Sequence, residues 1–222
     1  MMDWSQFGNF AARYLPQLWS GLLVTIAVAA LAAPTALAIG VLLTVPRVAG
    51  WRLLSALVRA YVEVMRNTPL LVQMYLLFFG LPLVGIFWDE ITCGVLAVAL
   101  QHAAFLSELF RSGIAAVGPK QWEAGQAIGM RRWAVFRQIV LPQAVIKVMA
   151  PVSNQLIVLV KDTSLVSAIG VLDLTLSGKV IIERSGASFE VFVLVAALYL
   201  ILTSVIGVGF RINEMRFARR LG

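Results

Sequence analysis

Long apolar blocks, separated by short polar segments, constrain this chain more than any other feature. The sequence has 222 residues, of which 60% are hydrophobic and only 13% are charged. A soluble domain of this length would be about half apolar and about a quarter charged. The composition therefore excludes a soluble globular enzyme, a disordered chain and a secreted disulfide scaffold. It predicts that lipid surrounds most of the chain.

Five apolar segments are long enough to cross a hydrocarbon core of about 30 Å as helices that rise about 1.5 Å per residue. The predicted fold class is an all-α polytopic membrane protein, with one membrane domain over residues 1–222 and a short helix between two spans at about 119–131. The five predicted spans cover about residues 18–45, 53–81, 91–109, 139–160 and 191–210.

The distribution of lysine and arginine predicts how these spans are oriented, because cytoplasmic segments carry an excess of both residues. With the N-terminus outside, four basic residues face outward: Arg13, Lys161, Lys179 and Arg184. Eleven then face inward: Arg47, Arg52, Arg111, Lys120, Arg131, Arg132, Arg137, Arg211, Arg216, Arg219 and Arg220. We therefore expect the N-terminus outside and the C-terminus in the cytoplasm. The net charge of +7 then reflects membrane topology rather than nucleic-acid binding.

Residues that could catalyse a reaction or bind a metal are scarce. Cys93 is the one cysteine and His102 the one histidine, so neither an internal disulfide nor a zinc site is expected. The sequence has no Gly-x4-Gly-Lys-Ser/Thr phosphate-binding loop, no His-Glu-x-x-His and no Ser/His/Asp arrangement. These residues predict a membrane protein that is not an enzyme and has no metal or cofactor of its own.

The segment between the third and fourth predicted spans is the most informative polar stretch. Pro119 suits the first position of a helix, and Glu123 lies where the helix dipole favours an anion. Gly125 and Gly129 are one turn apart and leave a bare strip of backbone, and Gly129 also suits the end of the helix. Such a helix fits a groove on a cytoplasmic partner. From these residues alone, an amphipathic helix on the membrane surface is an equal alternative.

This segment resembles the EAA loop of the membrane subunits of ABC importers. The family pattern is Glu-Ala-Ala, three residues, Gly, nine residues and Ile-x-Leu-Pro. It is matched here by Glu123, Ala124, Gly125, Gly129, Ile139, Leu141 and Pro142, with Gly125 in place of the second alanine. The resemblance implies a coupling helix that docks into a cleft of an ATP-binding subunit. The implied coupling residues are Glu123, Ala124, Gly125, Gly129 and Arg131.

Two further segments resemble the permeases of polar amino acids, which import histidine, arginine and lysine, glutamine, glutamate and opines. The first contains Glu63, Arg66, Thr68, Pro69, Leu70 and Gln73, and the second runs from Lys161 to Thr175. This resemblance implies a type I ABC importer permease in the bacterial inner membrane. It also implies the partners: a pair of ATPase subunits that bind ATP and Mg²⁺, a second membrane subunit, identical or paralogous, and an extracellular or periplasmic binding protein that delivers an amino acid.

Charges and a proline mark the second predicted span as unusual. Arg59, Glu63 and Arg66 share one helical face, and Glu63 can pair with either arginine. Pro69 removes a backbone donor and disfavours helical geometry in the preceding residue. The alternative is that the arginines anchor the cytoplasmic end of the span and that Pro69 only kinks it. The residues expected to have structural or gating roles are Glu63, Thr68, Pro69 and Pro142.

Polar residues at the end of the fourth predicted span form the candidate substrate face. Gln155 and Asp162 are seven residues apart and share one helical stripe, and Asn154 and Lys161 share the next. Asp162 suits the ammonium group of an amino acid, while Lys161, Arg66 or Asn154 suits its carboxylate. The alternative is that Lys161 and Asp162 are interfacial residues that end the span.

Gln155 indicates the expected substrate class. In some family members that carry cationic amino acids, an acidic residue sits at the matching position, whereas glutamine is similar to members that carry glutamine, glutamate or aspartate. We therefore expect import of glutamate, aspartate or glutamine by alternating access, with basic amino acids or opines as the alternative. A secondary carrier, a less favoured alternative, needs intramembrane carboxylates, and the candidates are few: Glu63, Glu108 and Asp162.

Two polar contacts are expected from residues of the third span. His102 is expected to form a hydrogen bond between helices, as polar side chains commonly do in membrane bundles, with a proton relay as the alternative. Glu108 and Arg111 are three residues apart and are expected to form an ion pair at the inner end of the span.

Overall fold

Helices form every regular element within residues 4–221, which are the residues that the structure, a computed structural model, describes; side chains are described from residue 7 to residue 216. The predicted all-α fold class is therefore confirmed. The helices are α1 (Trp4–Ala49), α2 (Arg52–Asn67), α3 (Leu70–Gly80), α4 (Glu90–Ala115), α5 (Pro119–Ala127), α6 (Arg132–Val135), α7 (Leu141–Asp162), α8 (Leu174–Ser185) and α9 (Ser188–Leu221). Two short 3-10 helices (Leu81–Val84 and Thr163–Ile169) and a π-helical turn (Phe136–Val140) connect some of them.

Four helical segments of the described chain are long and apolar enough to cross a membrane: Phe7–Ala49, Glu90–Ala115, Arg132–Ile169 and Ser188–Arg216. A fifth span is counted if α2 and the segment Leu70–Val84 are taken as one, although the chain bends by 105° between them. The number of spans therefore reaches the predicted five only through this broken helix.

The break between α2 and α3 lies at Thr68 and Pro69. Pro69 is extended, with φ −62° and ψ 136°, so the helix is interrupted where the sequence predicts it. The side chain of Gln73 closes onto the break, because its Nε2 donates to Thr68 Oγ1 at 2.7 Å and to the Thr68 carbonyl at 3.1 Å. The Thr68 carbonyl, at the point where the helix is interrupted, thereby accepts a hydrogen bond from a side chain.

The described chain divides into two compact units. The first unit contains the residues up to Pro34, Thr68–Ala99 and Ile157–Ile206. The second unit contains Thr35–Asn67, Leu100–Leu156 and the residues from Gly207 onward. Several long helices contribute to both units, so each unit is assembled from segments that are distant in the sequence.

The first unit is built around α8, which packs against α1 and α9. Its buried core comprises Leu18, Leu22, Leu174, Ile181, Val191 and Val195. Gly21 allows α1 to approach α8 closely, because a Cβ at this position would lie 2.7 Å from the Asp173 carbonyl oxygen and would collide with the Ser177 hydroxyl. Small residues permit such close helix contacts in membranes.

The boundaries of α8 follow from two residues. Asp173 caps its N-terminus, because Oδ1 accepts a hydrogen bond of 2.8 Å from the Leu176 amide. Gly186 ends the helix with φ +69°, a left-handed conformation that favours glycine.

The second unit contains a charged cluster on α4 that the sequence predicts only in part. Arg111 Nε donates to Glu108 Oε1 at 3.0 Å, which confirms the predicted pair. Arg47 of α1 adds a second ion pair to Glu108 at 2.8 Å, and the Arg47 side chain is nearly buried. A charge away from water needs such a partner, and Glu108 supplies it to Arg47 while also pairing with the more exposed Arg111.

Candidate functional site

The predicted coupling segment forms a short helix, α5, in the second unit. It begins at Pro119 and ends at Ala127. Gly129 has φ +83° and turns the chain, so the helix stops before the predicted limit of about residue 131. Arg131 therefore lies beyond α5, in an extended conformation that precedes α6.

The predicted glycine strip is exposed at Gly129 but not at Gly125. Gly125 is buried, and a Cβ there would lie 2.8 Å from Val135 Cγ2 and 3.0 Å from Ile139 Cδ1. The missing side chain thus lets α5 pack against the segment that leads into α7, rather than against a partner. The expectation of a bare glycine face is therefore wrong at Gly125, because packing within the chain covers that residue.

Aromatic side chains hold α5 in place. The rings of Trp122 and Phe136 stack with centroids 6.2 Å apart and an interplanar angle of 20°. Trp133 packs on the same Phe136 ring at 5.5 Å, and the Arg132 guanidinium lies 5.7 Å from the centre of the Trp122 ring. Trp122 and Gly125 face inward, and the other residues of α5 are exposed: Pro119, Lys120, Gln121, Glu123, Ala124, Gln126 and Ala127.

Pro142 lies just inside α7, where the helix changes type. Pro142 has no amide hydrogen, so it cannot donate the bond that would continue an α-helix into the preceding turn. The preceding residues Phe136–Val140 form a π-helical turn instead, in which the Leu141 amide donates to the Phe136 carbonyl. The Ile-x-Leu-Pro end of the motif therefore produces a local change of helix geometry between α5 and the membrane.

An apolar groove of about 860 Å³ lies along the first half of α7 in the second unit. Its lining includes Val41, Phe110, Phe136 and Val148, and Arg132 is the one charged residue among the described residues that line it. A zwitterionic amino acid requires charged or hydrogen-bonding partners for both of its charges. The groove therefore does not match the predicted substrate.

Two of the predicted substrate residues contact neighbouring rings on α4, all within the second unit. The Arg66 guanidinium lies 5.3 Å from the centre of the Phe105 ring. Gln155 Nε2 lies 2.8 Å from His102 Nδ1, which is the helix–helix hydrogen bond expected for His102. The ring centroids of His102 and Phe105 are 6.4 Å apart. Neighbouring residues of α4 therefore contact both Arg66 and Gln155. We call Arg66, Phe105, His102 and Gln155 the α4 cluster.

The other predicted residues are placed differently. Asn154 is exposed next to Gln155 in the second unit, while Lys161 and Asp162 belong to the first unit, at the end of α7. Glu63 is exposed, and no ion pair among the described residues joins it to Arg59 or Arg66. The cation–π contact with Phe105 takes the place of the possible pair between Arg66 and Glu63.

Sequence reasoning missed His102 and Phe105 as members of a site. The sequence did indicate that His102 needs a polar partner, since a histidine within an apolar span is seldom left without one. The partner, Gln155, lies 53 residues further along the chain, and no spacing within one helix reveals such a contact.

The broken second span and the short helix between the third and fourth spans define a class of protein, the type I ABC importer permeases. A solved structure supports this assignment: a chain from the crystal structure of an amino acid ABC transporter with histidines matches with a TM-score of 0.90 and 31% identity, over 97% of this chain and 99% of that chain.

The family follows from the sequence match. Residues 36–218 match the family described as "Binding-protein-dependent transport system inner membrane component". This match covers most of the sequence, so the chain belongs to that family.

Three relatives are permease proteins by name. The L-cystine transport system permease protein TcyL of Bacillus subtilis (strain 168) is 32% identical, over 95% of this chain and 91% of its own length. The nopaline transport system permease protein NocM of Agrobacterium fabrum is 38% identical, over 77% and 76%. The glutamine transport system permease protein GlnP of Escherichia coli (strain K12) is 32% identical, over 91% and 93%.

Proposed function

We propose that this chain is the transmembrane subunit of an ATP-driven importer for glutamate, aspartate or glutamine. A binding protein delivers the amino acid, and the membrane subunit moves it into the cytoplasm by alternating access. The observation that carries this proposal is the α4 cluster, which presents one cation and one neutral amide in a chain of the binding-protein-dependent transport family.

The chemistry of the α4 cluster supports this substrate class. Arg66 suits the α-carboxylate of an amino acid, and Gln155 suits a polar side chain without a positive charge. The cluster has no carboxylate, so a cationic side chain would lack an ion-pair partner there. In the proposed site Asn154, exposed next to Gln155, assists with the carboxylate. Lys161 and Asp162 belong to the first unit, and their expected contacts with the carboxylate and the ammonium group stay predictions.

The exposed surface of α5 supports a role in coupling. Glu123 and Ala124 lie on that surface, and Arg131 is exposed just after the helix. In this proposal they contact an ATPase subunit, while Gly125 and Gly129 determine the position and end of α5. The sequence has no phosphate-binding loop, so ATP and Mg²⁺ belong to a separate pair of ATPase chains. A second membrane subunit, identical or paralogous, completes the pathway.

Two alternatives predict different substrates or energy sources. The 38% identity to a nopaline permease favours import of opines or basic amino acids. A secondary carrier would need a carboxylate that can take up a proton or bind an ion within the membrane. Glu108, one of the few candidates, is already paired with Arg47 and Arg111, which disfavours that role.

The test is ATP-dependent uptake by the assembled complex. The tagged chain is isolated from its native membranes in mild detergent with its partners and reconstituted into liposomes together with the binding protein. We expect uptake of radiolabelled glutamine, glutamate or aspartate that requires ATP and is not inhibited by excess arginine or nopaline. Uptake of arginine or nopaline alone would contradict the proposed substrate class and favour the first alternative. Uptake that does not require ATP would contradict the importer and favour a secondary carrier.

A further inference from the structure

We infer that His102 is a positioning residue that makes the proposed site favour a side-chain amide over a side-chain carboxylate. This inference rests on the proposed function, since it selects a substrate within the proposed class. The observation behind it is the contact of 2.8 Å between Gln155 Nε2 and His102 Nδ1.

His102 has a fixed position in the second unit. Its side chain is 1% exposed, and the following residues Ala103 and Ala104 are fully buried. The preceding residue Gln101 donates a hydrogen bond of 3.1 Å from Nε2 to the Met65 carbonyl, which ties this turn of α4 to α2. Because the ring is held in this way, His102 Nδ1 has a fixed position for its hydrogen bond with Gln155.

The hydrogen bond determines which edge of the Gln155 amide remains available. A neutral imidazole has one donor and one acceptor nitrogen. When His102 Nδ1 accepts, Gln155 Nε2 donates one of its two N–H groups to it. The second N–H and Oε1 of this half-buried side chain then form an edge with one donor and one acceptor side by side.

That edge distinguishes an amide from a carboxylate. The carboxamide of glutamine or asparagine also has one donor and one acceptor, so it can form two hydrogen bonds with the Gln155 edge. A carboxylate has acceptors only, so it forms one hydrogen bond and brings its other oxygen against Gln155 Oε1. Without His102, the Gln155 amide can turn and present both N–H groups to a carboxylate, and the discrimination is lost.

Two nearly isosteric substitutions test this role in the reconstituted complex. Asparagine places a polar atom close to the position of His102 Nδ1, whereas leucine has a similar shape without a hydrogen-bonding group. The quantity measured is the ratio of kcat/KM for glutamine to kcat/KM for glutamate. We expect His102→Leu to lower this ratio about three- to tenfold, the equivalent of one hydrogen bond, and His102→Asn to preserve it.

A second comparison separates positioning from general support of the fold. In a Gln155→Leu background, His102→Leu should cause no further change in the ratio, because His102 acts through Gln155. An equal fall in that background, or an unchanged ratio in His102→Leu, would overturn the inference. If neither His102 variant assembles, Gln155→Leu tests the same hydrogen bond from the half-buried side, and an unchanged ratio there would also overturn it.

Uptake by the unsubstituted complex tests the inference about His102 separately from the proposed substrate class. Preference for glutamine over glutamate is the expected result. Preference for glutamate would overturn the inference about His102 but leave the proposed substrate class intact. Uptake of neither one, with uptake of an amino acid other than aspartate, would overturn both.

Discussion

Asp173 shows how one buried carboxyl can make the stability of a helix depend on pH. Its side chain is fully buried at the start of α8, where Oδ1 accepts from the Leu176 amide and Oδ2 accepts from Tyr199 Oη at 3.2 Å. These hydrogen bonds favour the charged form, but burial outweighs them and raises the pKa of Asp173 above its ordinary value of 3.8. The folded state therefore binds this proton more tightly than the unfolded state.

The sign of the pH dependence follows from this raised pKa. The stabilisation is fully present below the unfolded pKa near 3.8, and it is lost as the pH rises through the folded pKa. We expect the original chain to lose stability as the pH rises above about 4, and Asp173→Asn, which keeps an oxygen acceptor for the cap and cannot ionise, to lose less stability over the same change. Thermal unfolding in detergent, followed by tryptophan fluorescence, measures this. The same pH dependence in both proteins would contradict the assignment.

At the scale of the element, α5 is positioned by its own chain and leaves its opposite surface exposed. Gly125 and Trp122 pack inward against Val135, Ile139 and Phe136. Glu123 is exposed and forms no ion pair or hydrogen bond with other described side chains. Under the proposed function, the stability of α5 and its contact with an ATPase subunit therefore depend on different residues.

This separation predicts the effect of Glu123→Arg. We expect the variant to retain the unfolding temperature of the original chain to within about 2 °C, since exposed substitutions change stability by less than about 0.5 kcal/mol. We also expect ATP hydrolysis by the reconstituted complex to become uncoupled from uptake, with uptake reduced at least about tenfold, because a carboxylate contact becomes a like-charge or unpaired contact. Glu123→Asp is the matched control and should keep most of the uptake. Full uptake by Glu123→Arg would remove the coupling role.

At the scale of the whole molecule, the basic residues predict the orientation in the membrane. Lys120 on α5 and Lys179 on α8 are both exposed, and they fall on opposite sides of the predicted topology. We expect Lys179→Cys to react with a membrane-impermeant maleimide in intact cells, and Lys120→Cys to react only after the membrane is permeabilised. The native Cys93 is 1% exposed, so the unsubstituted chain serves as the unlabelled control. The reverse labelling pattern would invert the topology.

The elements of this fold were largely predictable from the sequence, whereas the contacts between distant segments were not. The all-α class, the break at Pro69 and the pair of Glu108 with Arg111 depend on composition, backbone chemistry and spacing within one helix. The predicted five spans agree with the structure only when the two helices that meet at a bend of 105° are counted as one span. Local patterns indicate where a helix stops but not how sharply the chain turns there.

The long apolar blocks of the sequence predict helices in lipid, because an uninterrupted apolar segment of this length can satisfy its own backbone only as a helix. The motifs of the sequence also pointed to the family of binding-protein-dependent transport components. The inward packing of Gly125, the ion pair of Arg47 with Glu108 and the contact of His102 with Gln155 became known only from the folded structure. The physical reason is that these contacts join residues on separate segments, and helical periodicity relates only residues within the same helix.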